Sequence, residues 1–565
     1  MDIIQFKEAN CKGCYKCIRN CDLKAIKFSN EQARILDSEC ILCGKCTLVC
    51  PQNAKVIKSD LSETKALLES GAKLYASVAP SFVSAFPNVS FAQFSMALKK
   101  LGFTRVEETA IGAGMVSAEY AALMRQKEMK NIITTCCPTV NLLVEKYYPE
   151  LVPLLAPVVA PTTAHAKVMK ELYGNRIKVV FIGPCISKKF EAHMNNYINT
   201  VLMFDEIKEW LEEERISFGA DDTDAGELHH TINRFYPVPE GIIHTIPMEA
   251  RKNYKTMAVD GVDRCISTLE SLKANDIRGY FLEMSACAGS CVMGPGMHSI
   301  GSPFLIAKDL ILDTVRDHKK TAAPLSEKAK SDLSKAFTLT LVKDKVPDES
   351  TINSILANIG KTSSTQMLNC GACGYSTCRD KAIAVFQGKA DLKMCLPYMR
   401  EKAESMSNLI LDNTPDAIFV TDSEFNVLEY NPAAAKMFRQ IDSNTVGMPI
   451  ELLIRSEDFS NVKSKGENVY YALCQDTANE LVLDLSIIHA PNKDYIIIAK
   501  NVTAEHLHMQ EMEKMRRDTL ETTQRIIDKQ MRVAQEIASL LGETTGETKA
   551  ALTNLKKSIA EDRKI

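Results

Sequence analysis

The fold is decided by three separated cysteine-bearing segments, TCCP at residues 135–138, GPCISKKFE at 183–191 and EMSACAGSC at 283–291. Together they supply four thiolates for a four-iron cubane, which ordinary ferredoxins ligate through cysteines in nearly consecutive spacing. Ligands drawn from three distant loops predict a cluster seated between two lobes. Cys136 and Lys188 are left over, and they indicate chemistry beyond holding a cluster. The four predicted ligands are Cys137, Cys185, Cys287 and Cys291.

The sequence around these segments predicts an α/β domain over residues 72–360, because short apolar runs alternate with helical patterns. Ligand sites in open α/β sheets lie beyond the carboxyl ends of strands, which is where the cysteine segments fall. The predicted strands are Lys73–Val78, Asn131–Thr135, Lys178–Ile182 and Tyr280–Met284. The predicted helices include Phe91–Leu101, Val116–Arg125 and Ile207–Glu214.

Residues 1–60 contain a doubled motif, in which each run reads C-x2-C-x2-C-x3-C. In bacterial ferredoxins the fourth cysteine of each run ligates the cluster of the other run, so we predict two cubanes. A zinc site is the alternative, but zinc motifs pair two CxxC units. The predicted ligands are Cys11, Cys14, Cys17 and Cys50 for one cluster, and Cys40, Cys43, Cys46 and Cys21 for the other.

A fourth ligand set lies in residues 361–402, and it predicts a small four-iron domain. Gly371 and Gly374 allow the backbone to curl close to sulfur. This cluster is expected to relay electrons or sense redox state, and the alternative is a cluster that only staples a small domain. Its predicted ligands are Cys370, Cys373, Cys378 and Cys395.

The cysteine-poor residues 405–505 predict a different, α+β domain, with strands at Asp416–Asp422 and a closing hairpin of Leu481–Ile488 and Asp494–Lys500. His489 is expected to be a buried structural histidine. Residues 506–565 carry a heptad-like apolar stripe, which is typical of a coiled coil or paired helices and predicts a homodimer.

Composition and charge restrict the class of protein. The 565 residues carry a net charge of −3, which gives no electrostatic case for nucleic acid, and no apolar run reaches membrane-spanning length. The first residues lack the basic and apolar regions of a signal peptide. Nineteen cysteines without an export signal favour metal ligation in a reducing compartment, so we expect a cytoplasmic protein.

The three site segments resemble the signature loops of iron-only (FeFe) hydrogenases, and the resemblance covers residues 1–360. It implies an H-cluster, in which the cubane is joined to a diiron unit that carries carbon monoxide, cyanide and a dithiolate. The resemblance implies that Cys291 bridges to the diiron unit and that Cys136 shuttles protons. It also implies that Lys188 pairs with one cyanide and that Ser81 hydrogen-bonds the other.

Further site residues follow from the same motifs. Pro80 and Pro184, which flank Ser81 and Cys185, are assigned to cofactor binding, and Glu191 is expected to position Lys188 or cap its loop. The cyanide ligands bring buried negative charge, which is costly without a cation or a donor, and Lys188 supplies the cation.

The sequence also departs from the hydrogenase pattern. Gly183 and Ser285 stand where methionines usually wall the diiron pocket, so the pocket is expected to be roomier or more polar. The helix before the first loop has Glu119 but Ala122 at the second position of the expected acid pair. Rate, potential and proton delivery are therefore expected to differ from those of a bulk catalyst.

The Asp416-x-Ile418 opening, the segment EYNPA at residues 429–433 and the closing NVT at residues 501–503 resemble a PAS sensor domain over residues 405–505. The architecture therefore resembles the PAS-containing sensory subgroup of the hydrogenases. The predicted class is a multidomain α/β protein with a ferredoxin-like two-cluster domain, a two-lobed H-cluster domain, a small four-iron domain, a PAS domain and a C-terminal helix. We expect reversible hydrogen oxidation, a redox partner such as ferredoxin, and a separate kinase or Ser/Thr phosphatase as signalling partner. The alternatives are a metabolic ferredoxin-linked hydrogenase and a hydrogenase-like iron–sulfur assembly or electron-transfer protein without the diiron unit.

Overall fold

The structure is a computed structural model that describes residues 3–219, 232–316, 331–342, 345–438, 441, 445–455, 459, 469–476, 480–490, 494–541 and 545–561. The chain divides into two compact units, residues 1–398 and 399–565. Among the described helices, none is both long enough and apolar enough to cross a membrane.

The first sixty residues fold back on themselves, because their first and last strands pair antiparallel with Ile4 opposite Ile57. This pairing returns Cys50 towards the first cysteine run. A second antiparallel pair joins Ile26 to Ile35. The elements are β1 (Ile4–Phe6), α1 (Lys16–Arg19), β2 (Ile26–Ser29), β3 (Gln32–Ile35), α2 (Lys45–Leu48) and β4 (Lys55–Ile57).

The α/β domain of residues 72–360, called the site domain below, is built on two parallel sheets, which confirms the predicted two-lobed α/β architecture. The first sheet has the order β6 (Arg105–Glu108), β5 (Leu74–Val78), β8 (Lys178–Ile182) and β9 (Thr200–Leu202). The second has the order β10 (Lys255–Asp260), β11 (Tyr280–Ser285) and β7 (Ile132–Ile133). Each sheet has a buried apolar core, as expected for parallel sheets covered by helices.

Helices connect and cover these strands. They are α3 (Leu61–Glu69), α4 (Phe82–Ala85), α5 (Phe91–Lys100), α6 (Ala110–Gln126), α7 (Pro138–Tyr147), α8 (Pro161–Tyr173), α9 (Ser187–Met194), α10 (Phe204–Glu213), α11 (Gly241–Thr245), α12 (Met248–Arg251), α13 (Val262–Lys273) and α14 (Phe304–Arg316).

Three predicted boundaries differ by two residues or more. The strand predicted to reach Thr135 ends at Ile133, because Thr134 already turns its hydroxyl to accept the Met284 backbone N–H at 3.1 Å. The helices predicted to begin at Val116 and Ile207 begin at Ala110 and Phe204, and in the first of them Gly112 packs closely against α8.

The last part of the first unit carries α15 (Glu349–Ala357) and α16 (Cys378–Phe386). It packs directly on the ferredoxin-like part through one shared apolar cluster that includes Ile18, Phe28, Tyr375 and Met394. A buried ion pair between Lys389 and Glu39, at 2.8 Å, joins the same two parts. The helix α17 (Leu396–Asn413) contains the boundary between the two units.

The second unit contains a five-stranded antiparallel sheet, ordered β13 (Val427–Tyr430), β12 (Ala417–Thr421), β16 (Tyr495–Asn501), β15 (Leu481–His489) and β14 (Val469–Asp476). The predicted closing hairpin is confirmed as β15 and β16. His489 was wrongly predicted to be buried: it lies exposed at the end of β15, with its ring 5.2 Å from that of Tyr495. The helices are α18 (Pro432–Met437), α19 (Thr503–Leu541) and α20 (Thr545–Glu561).

Candidate active site

A cavity of about 120 Å³ lies where the two parallel sheets of the site domain present the carboxyl ends of their strands. The loops after β5, β7, β8 and β11 all reach it, as expected for α/β sheets. All of the site residues predicted from these loops line the cavity, except Glu191. The predicted residues that line it are Pro80, Ser81, Cys136, Cys137, Pro184, Cys185, Lys188, Cys287 and Cys291.

The local sequence explains how the cysteines are held. Cys137 is the N-cap of α7 and is followed by Pro138 at the first helical position, where proline's missing N–H is not needed. Gly289, at φ 85°, turns the chain between Cys287 and Cys291 so that both thiols face the cavity.

Lys188 provides a buried cation in the cavity wall. Its Nζ lies 2.5 Å from Oε2 of Glu191, and it donates to Thr162 Oγ1 at 3.0 Å and to the Cys136 carbonyl oxygen at 3.2 Å. Burial alone would lower the pKa of Lys188, but the negative charges of Glu191 and Cys185 and the hydrogen bond to Glu191 together outweigh it and raise that pKa. The ammonium therefore keeps its proton, and Glu191 lies behind Lys188 as the residue that positions it.

Cys136 is held by a partner that the sequence did not reveal. The hydroxyl of Tyr120 lies 3.3 Å from Cys136 Sγ and accepts the backbone N–H of Thr135 at 2.9 Å. Burial raises the pKa of the Cys136 thiol to about 12, although the Tyr120 hydrogen bond opposes the rise. Cys136 therefore carries its proton at neutral pH.

The residues present fit an H-cluster. Burial, followed by the charges of neighbouring cysteines, raises the pKa of Cys287 well above its usual value, so four adjacent thiolates need a cationic centre among them. The hydroxyl of Ser81 is fully buried, and its Oγ has no hydrogen-bond partner. A buried hydroxyl without a partner is costly, and a cyanide ligand in the cavity would accept its hydrogen.

The substituted positions alter the cavity wall in two ways. A side chain added to Gly183 would begin 2.6 Å from the ring of Phe181, which itself lines the cavity, so Phe181 takes up space beside the missing methionine. Ser285 places a hydroxyl in the wall, 2.9 Å from that of Ser290. The wall is thus more polar at Ser285 than it would be with a methionine there.

The acids near the site differ from the predicted pattern. Glu119 is exposed, whereas its neighbour Tyr120 on α6 is buried and contacts Cys136. Glu283, to which the sequence analysis gave no role, lines the cavity and accepts the backbone N–H of Ile243 at 3.0 Å. Burial raises the pKa of Glu283 to about 8, so it is largely protonated at neutral pH. A signal for it was available, because it is an acid on a buried strand just before a ligand loop.

The other predicted ligand sets also converge. A cavity of about 30 Å³ is lined by Cys21 together with Cys40, Cys43 and Cys46, as the ferredoxin exchange of ligands predicts. A cavity of about 20 Å³ is lined by Cys370, Cys373, Cys378 and Cys395. Within the described part of the chain, no three Cys, His, Asp or Glu side chains are placed to hold a single metal ion.

The remaining set gathers around a buried lysine. Lys55 donates to Cys17 Sγ at 3.5 Å. Burial acts to raise the pKa of Cys50, but backbone hydrogen bonds and the positive charge of Lys55 together lower it. Cys11 and Cys14 lie close enough to Cys17 for their charges to raise its pKa further, after burial has raised it.

Comparison with known proteins agrees with this arrangement. Residues 72–295 match the family described as the C-terminal domain of the iron-only hydrogenase large subunit. Residues 3–57 match a 4Fe-4S dicluster domain, 366–397 an Fe-S cluster family, and 406–490 the PAS fold.

Two curated relatives are hydrogenases. Iron hydrogenase 1 of Clostridium pasteurianum is 24% identical over 53% of this chain and 65% of that protein, so the chain spans just under two thirds of its length. The periplasmic Fe hydrogenase large subunit of Nitratidesulfovibrio vulgaris is 24% identical over 52% of this chain and 86% of that protein. Among solved structures, an FeFe-hydrogenase variant from Chlamydomonas reinhardtii is 14% identical over 50% of this chain and all of that chain, with a TM-score of 0.41.

The cysteine-lined cavity lies in the part of the chain, residues 72–295, that matches the C-terminal domain family of the iron-only hydrogenase large subunit. The chain joins this domain to iron–sulfur cluster domains and a PAS domain. The PAS domain fits the sensory subgroup of that family.

Proposed function

We propose that this chain is a sensory hydrogenase, which oxidises hydrogen and reduces protons reversibly and slowly, and passes its redox state to a signalling partner. The observation that carries the proposal is the single cavity that brings together four cysteine ligands, the spare thiol Cys136, the cation Lys188 and the unpartnered hydroxyl of Ser81. When bound, an H-cluster supplies the iron centre at which dihydrogen is split or formed.

The chain's own residues have distinct tasks in this proposal. Cys137, Cys185, Cys287 and Cys291 would hold the H-cluster. Lys188 and Ser81 offer a cation and a hydroxyl donor to its charged diatomic ligands, and Pro80 and Pro184 shape the wall. Cys136 holds a proton at the cavity surface. The assembly-protein alternative gives no task to Cys136 or Lys188, although both face the cavity.

Electrons would leave through the cysteine loops packed against the site domain. Thr139, two residues after Cys137, donates to the Leu42 carbonyl oxygen at 3.4 Å. A side chain on Gly44 would begin 2.6 Å from Pro295, so this ferredoxin loop meets the site domain closely. A relay through the ferredoxin-like clusters, either to ferredoxin or onwards to the fourth cluster, follows from these contacts.

The fourth cluster would extend this relay. The guanidinium of Arg19 donates to the carbonyl oxygens of Cys14 and Ala372, each at 3.0 Å, and so it links the loop of one predicted ligand set to the loop of another. A cluster that only stapled a small domain would not need this contact. We propose that the redox state of this fourth cluster, set by electrons from hydrogen, controls the signalling part of the chain.

Replacing Cys373 with serine is expected to remove one cubane, about four iron atoms per chain. Hydrogen oxidation with a dye that takes electrons directly from the protein should survive, because the change lies outside the site domain. Iron analysis and dye reduction measure the two effects. Cys474→Ser is the matched control, since this buried thiol belongs to no ligand set, and unchanged iron in Cys373→Ser would reject the fourth cluster.

The helix α19 supports the proposed homodimer. It is a helix of 39 residues with exposed apolar side chains at Met512, Met515 and Ile537, which follow the heptad-like stripe. Such a stripe is stable in water when a second helix covers it. The separate kinase or Ser/Thr phosphatase remains part of the proposal, as does the cytoplasmic location.

The test of the function is an infrared spectrum of the matured full chain under hydrogen. Bands from metal-bound carbon monoxide and cyanide that respond to hydrogen support the proposal. Their absence from correctly matured protein would favour the assembly-type alternative, and a high specific activity would favour a metabolic enzyme.

Deleting residues 405–565 is expected to separate catalysis from signalling. Dye-linked hydrogen oxidation should be retained, because every proposed cluster ligand lies before residue 405, while the hydrogen-dependent response of the signalling partner should be lost. Loss of the dye reaction together with the infrared bands would show that the deleted part is needed for the structure of the site.

A further inference from the structure

A chain of four hydrogen-bonded side chains leads away from the cavity through the interior of the first sheet. It starts at Thr109, which lines the cavity and whose Oγ1 lies 2.8 Å from Ser77 Oγ. Ser77 Oγ lies 2.8 Å from His165 Nδ1, and His165 Nε2 lies 3.2 Å from Oε2 of Glu107. Ser77 is 1% exposed and His165 is fully buried, so the middle of the chain is closed to solvent.

The outer end of the chain approaches the surface. Glu107 Oε1 accepts hydrogen bonds from Tyr173 Oη at 2.7 Å and from Arg105 Nε at 2.5 Å. The side chain of Arg105 is 41% exposed, and that of Glu107 is 10% exposed. Although burial acts to raise it, the pKa of Glu107 falls to about 2, because His165, Tyr173 and Arg105 stabilise the carboxylate.

An ionised Glu107 and a neutral imidazole together fix the direction of the hydrogens in the chain. Glu107 only accepts, so the neutral form of His165 donates from Nε2 and accepts at Nδ1. Ser77 therefore donates to His165, and Thr109 donates to Ser77. All of the hydrogens point from the cavity towards the surface.

Other hydrogen-bonded chains that start at the cavity, among the described residues, end differently. The Tyr120 chain passes to Thr135 and stops at the Val158 carbonyl oxygen. The Tyr236 chain passes through Ser117 and Thr245 and stops at the Ile242 carbonyl oxygen.

Two ionisable groups at the cavity also fail to provide an exit. Lys188 leads to Glu191, but the raised pKa of its ammonium keeps the proton in place. Thr162 also lines the cavity and donates to Glu191 Oε1 at 3.3 Å, so a second hydroxyl-to-carboxylate chain exists, but its carboxylate is already paired with Lys188. Glu283 accepts from the backbone N–H of Ile243 and so meets a donor that cannot take up a proton.

We propose that Thr109, Ser77, His165 and Glu107 form a proton relay between the cavity and the protein surface. The proposal rests on the proposed function, which requires a proton to leave for each electron removed from hydrogen. A proton that reaches Thr109 Oγ1 displaces its hydrogen to Ser77, that of Ser77 moves to Nδ1 of His165, and the Nε2 hydrogen moves to Glu107. Glu107 then releases its proton to solvent beside the exposed Arg105, so one proton enters and one leaves, and no electrons move.

The relay would suit slow turnover. After each transfer the imidazole is left with its hydrogen on Nδ1, and it must return to the Nε2 form before the next proton can leave. A fully buried ring makes this return slow, which matches a sensor better than a bulk catalyst. The relay also supplies a proton exit, whereas Glu119 points to solvent on the side of α6 away from Cys136.

Close packing of two helices creates the relay. A side chain on Gly112 of α6 would begin 2.2 Å from the Pro161 carbonyl oxygen and 2.7 Å from the His165 backbone nitrogen of α8. The absence of that side chain lets α8 approach, and His165 then reaches Ser77 on β5. Gly112 thus has a packing role between α6 and α8.

The first test uses protein that carries its cubanes but no diiron unit, so it does not depend on catalysis. Nitrogen-15 NMR of labelled histidine, assigned with His165→Gln, should show His165 as the neutral Nε2–H form. Ser77→Ala should shift the Nδ1 signal, because its hydrogen-bond donor is lost. A neutral Nδ1–H form, or an Nδ1 signal unchanged in Ser77→Ala, would overturn the proposed order of hydrogens.

The second test uses matured protein. Thr109→Val removes the hydroxyl at nearly constant volume and should slow dye-linked hydrogen oxidation by about 10-fold or more, with a larger solvent isotope effect. Thr109→Ser should restore both, and Ser117→Ala, which breaks the Tyr236 chain instead, should change neither. Equal rates and isotope effects in Thr109→Val and the unchanged protein would overturn the relay. Missing carbon monoxide and cyanide bands in the unchanged protein would instead reject the proposed function, and the NMR result would still decide the relay.

Discussion

Replacing Cys136 with alanine is expected to lower hydrogen turnover by about 100-fold or more, which is the range that a well-placed proton-transfer group contributes. The infrared bands of metal-bound carbon monoxide and cyanide should remain, because the proposed cubane ligands are Cys137, Cys185, Cys287 and Cys291. The thiol of Cys136 faces the same cavity as these ligands, and it contacts the buried hydroxyl of Tyr120 at 3.3 Å. Turnover and infrared spectra of the same sample measure the two effects separately.

The control for this change is Cys265→Ala. Cys265 is also a buried free thiol in the site domain, but it does not line the cavity. Turnover should be close to that of the unchanged protein in this variant. If Cys136→Ala turns over hydrogen as fast as Cys265→Ala, Cys136 has no proton role, and the Thr109 relay would have to receive its proton from another group.

The sequence predicted most of the fold around the site, because the chemistry and the strand pattern coincide. The segments at Cys137, Cys185 and Cys287 each follow a strand of a parallel sheet, and such strands present their carboxyl ends on one side. The exchange of Cys21 into the second ferredoxin set was also predictable, since it follows from cysteine spacing alone. The roles assigned to the individual site residues remain proposals.

The sequence was least informative about which face of α6 meets the cavity. Glu119 and Tyr120 are neighbours, so they point about 100° apart on a helix, and an apolar pattern around most of α6 does not distinguish the two faces. The structure exposes Glu119 and buries Tyr120 beside Cys136. The acid expected to belong to the proton path is therefore on the wrong side of the helix for it.

The relay residues were hidden for a different reason. Ser77, Glu107 and His165 come from two strands and a helix, and no spacing rule connects them. Only the order of strands in the first sheet and the close packing of α6 and α8 bring them together. The sequence therefore does not show that His165 pairs with Ser77 and Glu107.

Replacing Lys188 with methionine is expected to abolish the carbon monoxide and cyanide bands while the iron of the cubanes remains. The diiron unit brings anionic ligands into a buried cavity, and Lys188 is the cation that lines it. Loss of this cation also leaves Glu191, whose side chain is 11% exposed, without its ion-pair partner, and only hydrogen bonds from Thr162 and Thr163 remain on it. Removing one member of a buried pair typically costs about 3–5 kcal/mol of folding free energy, so instability alone would also lower cofactor content.

A second variant separates the two causes. The double replacement Lys188→Met with Glu191→Gln removes both charges, and it should recover much of the thermal stability that the single change loses, because no buried charge is left unpaired. If the cavity needs the cation for the cofactor, the infrared bands stay absent in the stable double variant, and Lys188→Arg, which keeps the charge, should retain at least part of them. Bands that return in the double variant would show that Lys188 serves only to neutralise Glu191. The diiron unit would then be held without a cation from this loop, and Cys291 and Ser81 would be left as its proposed contacts.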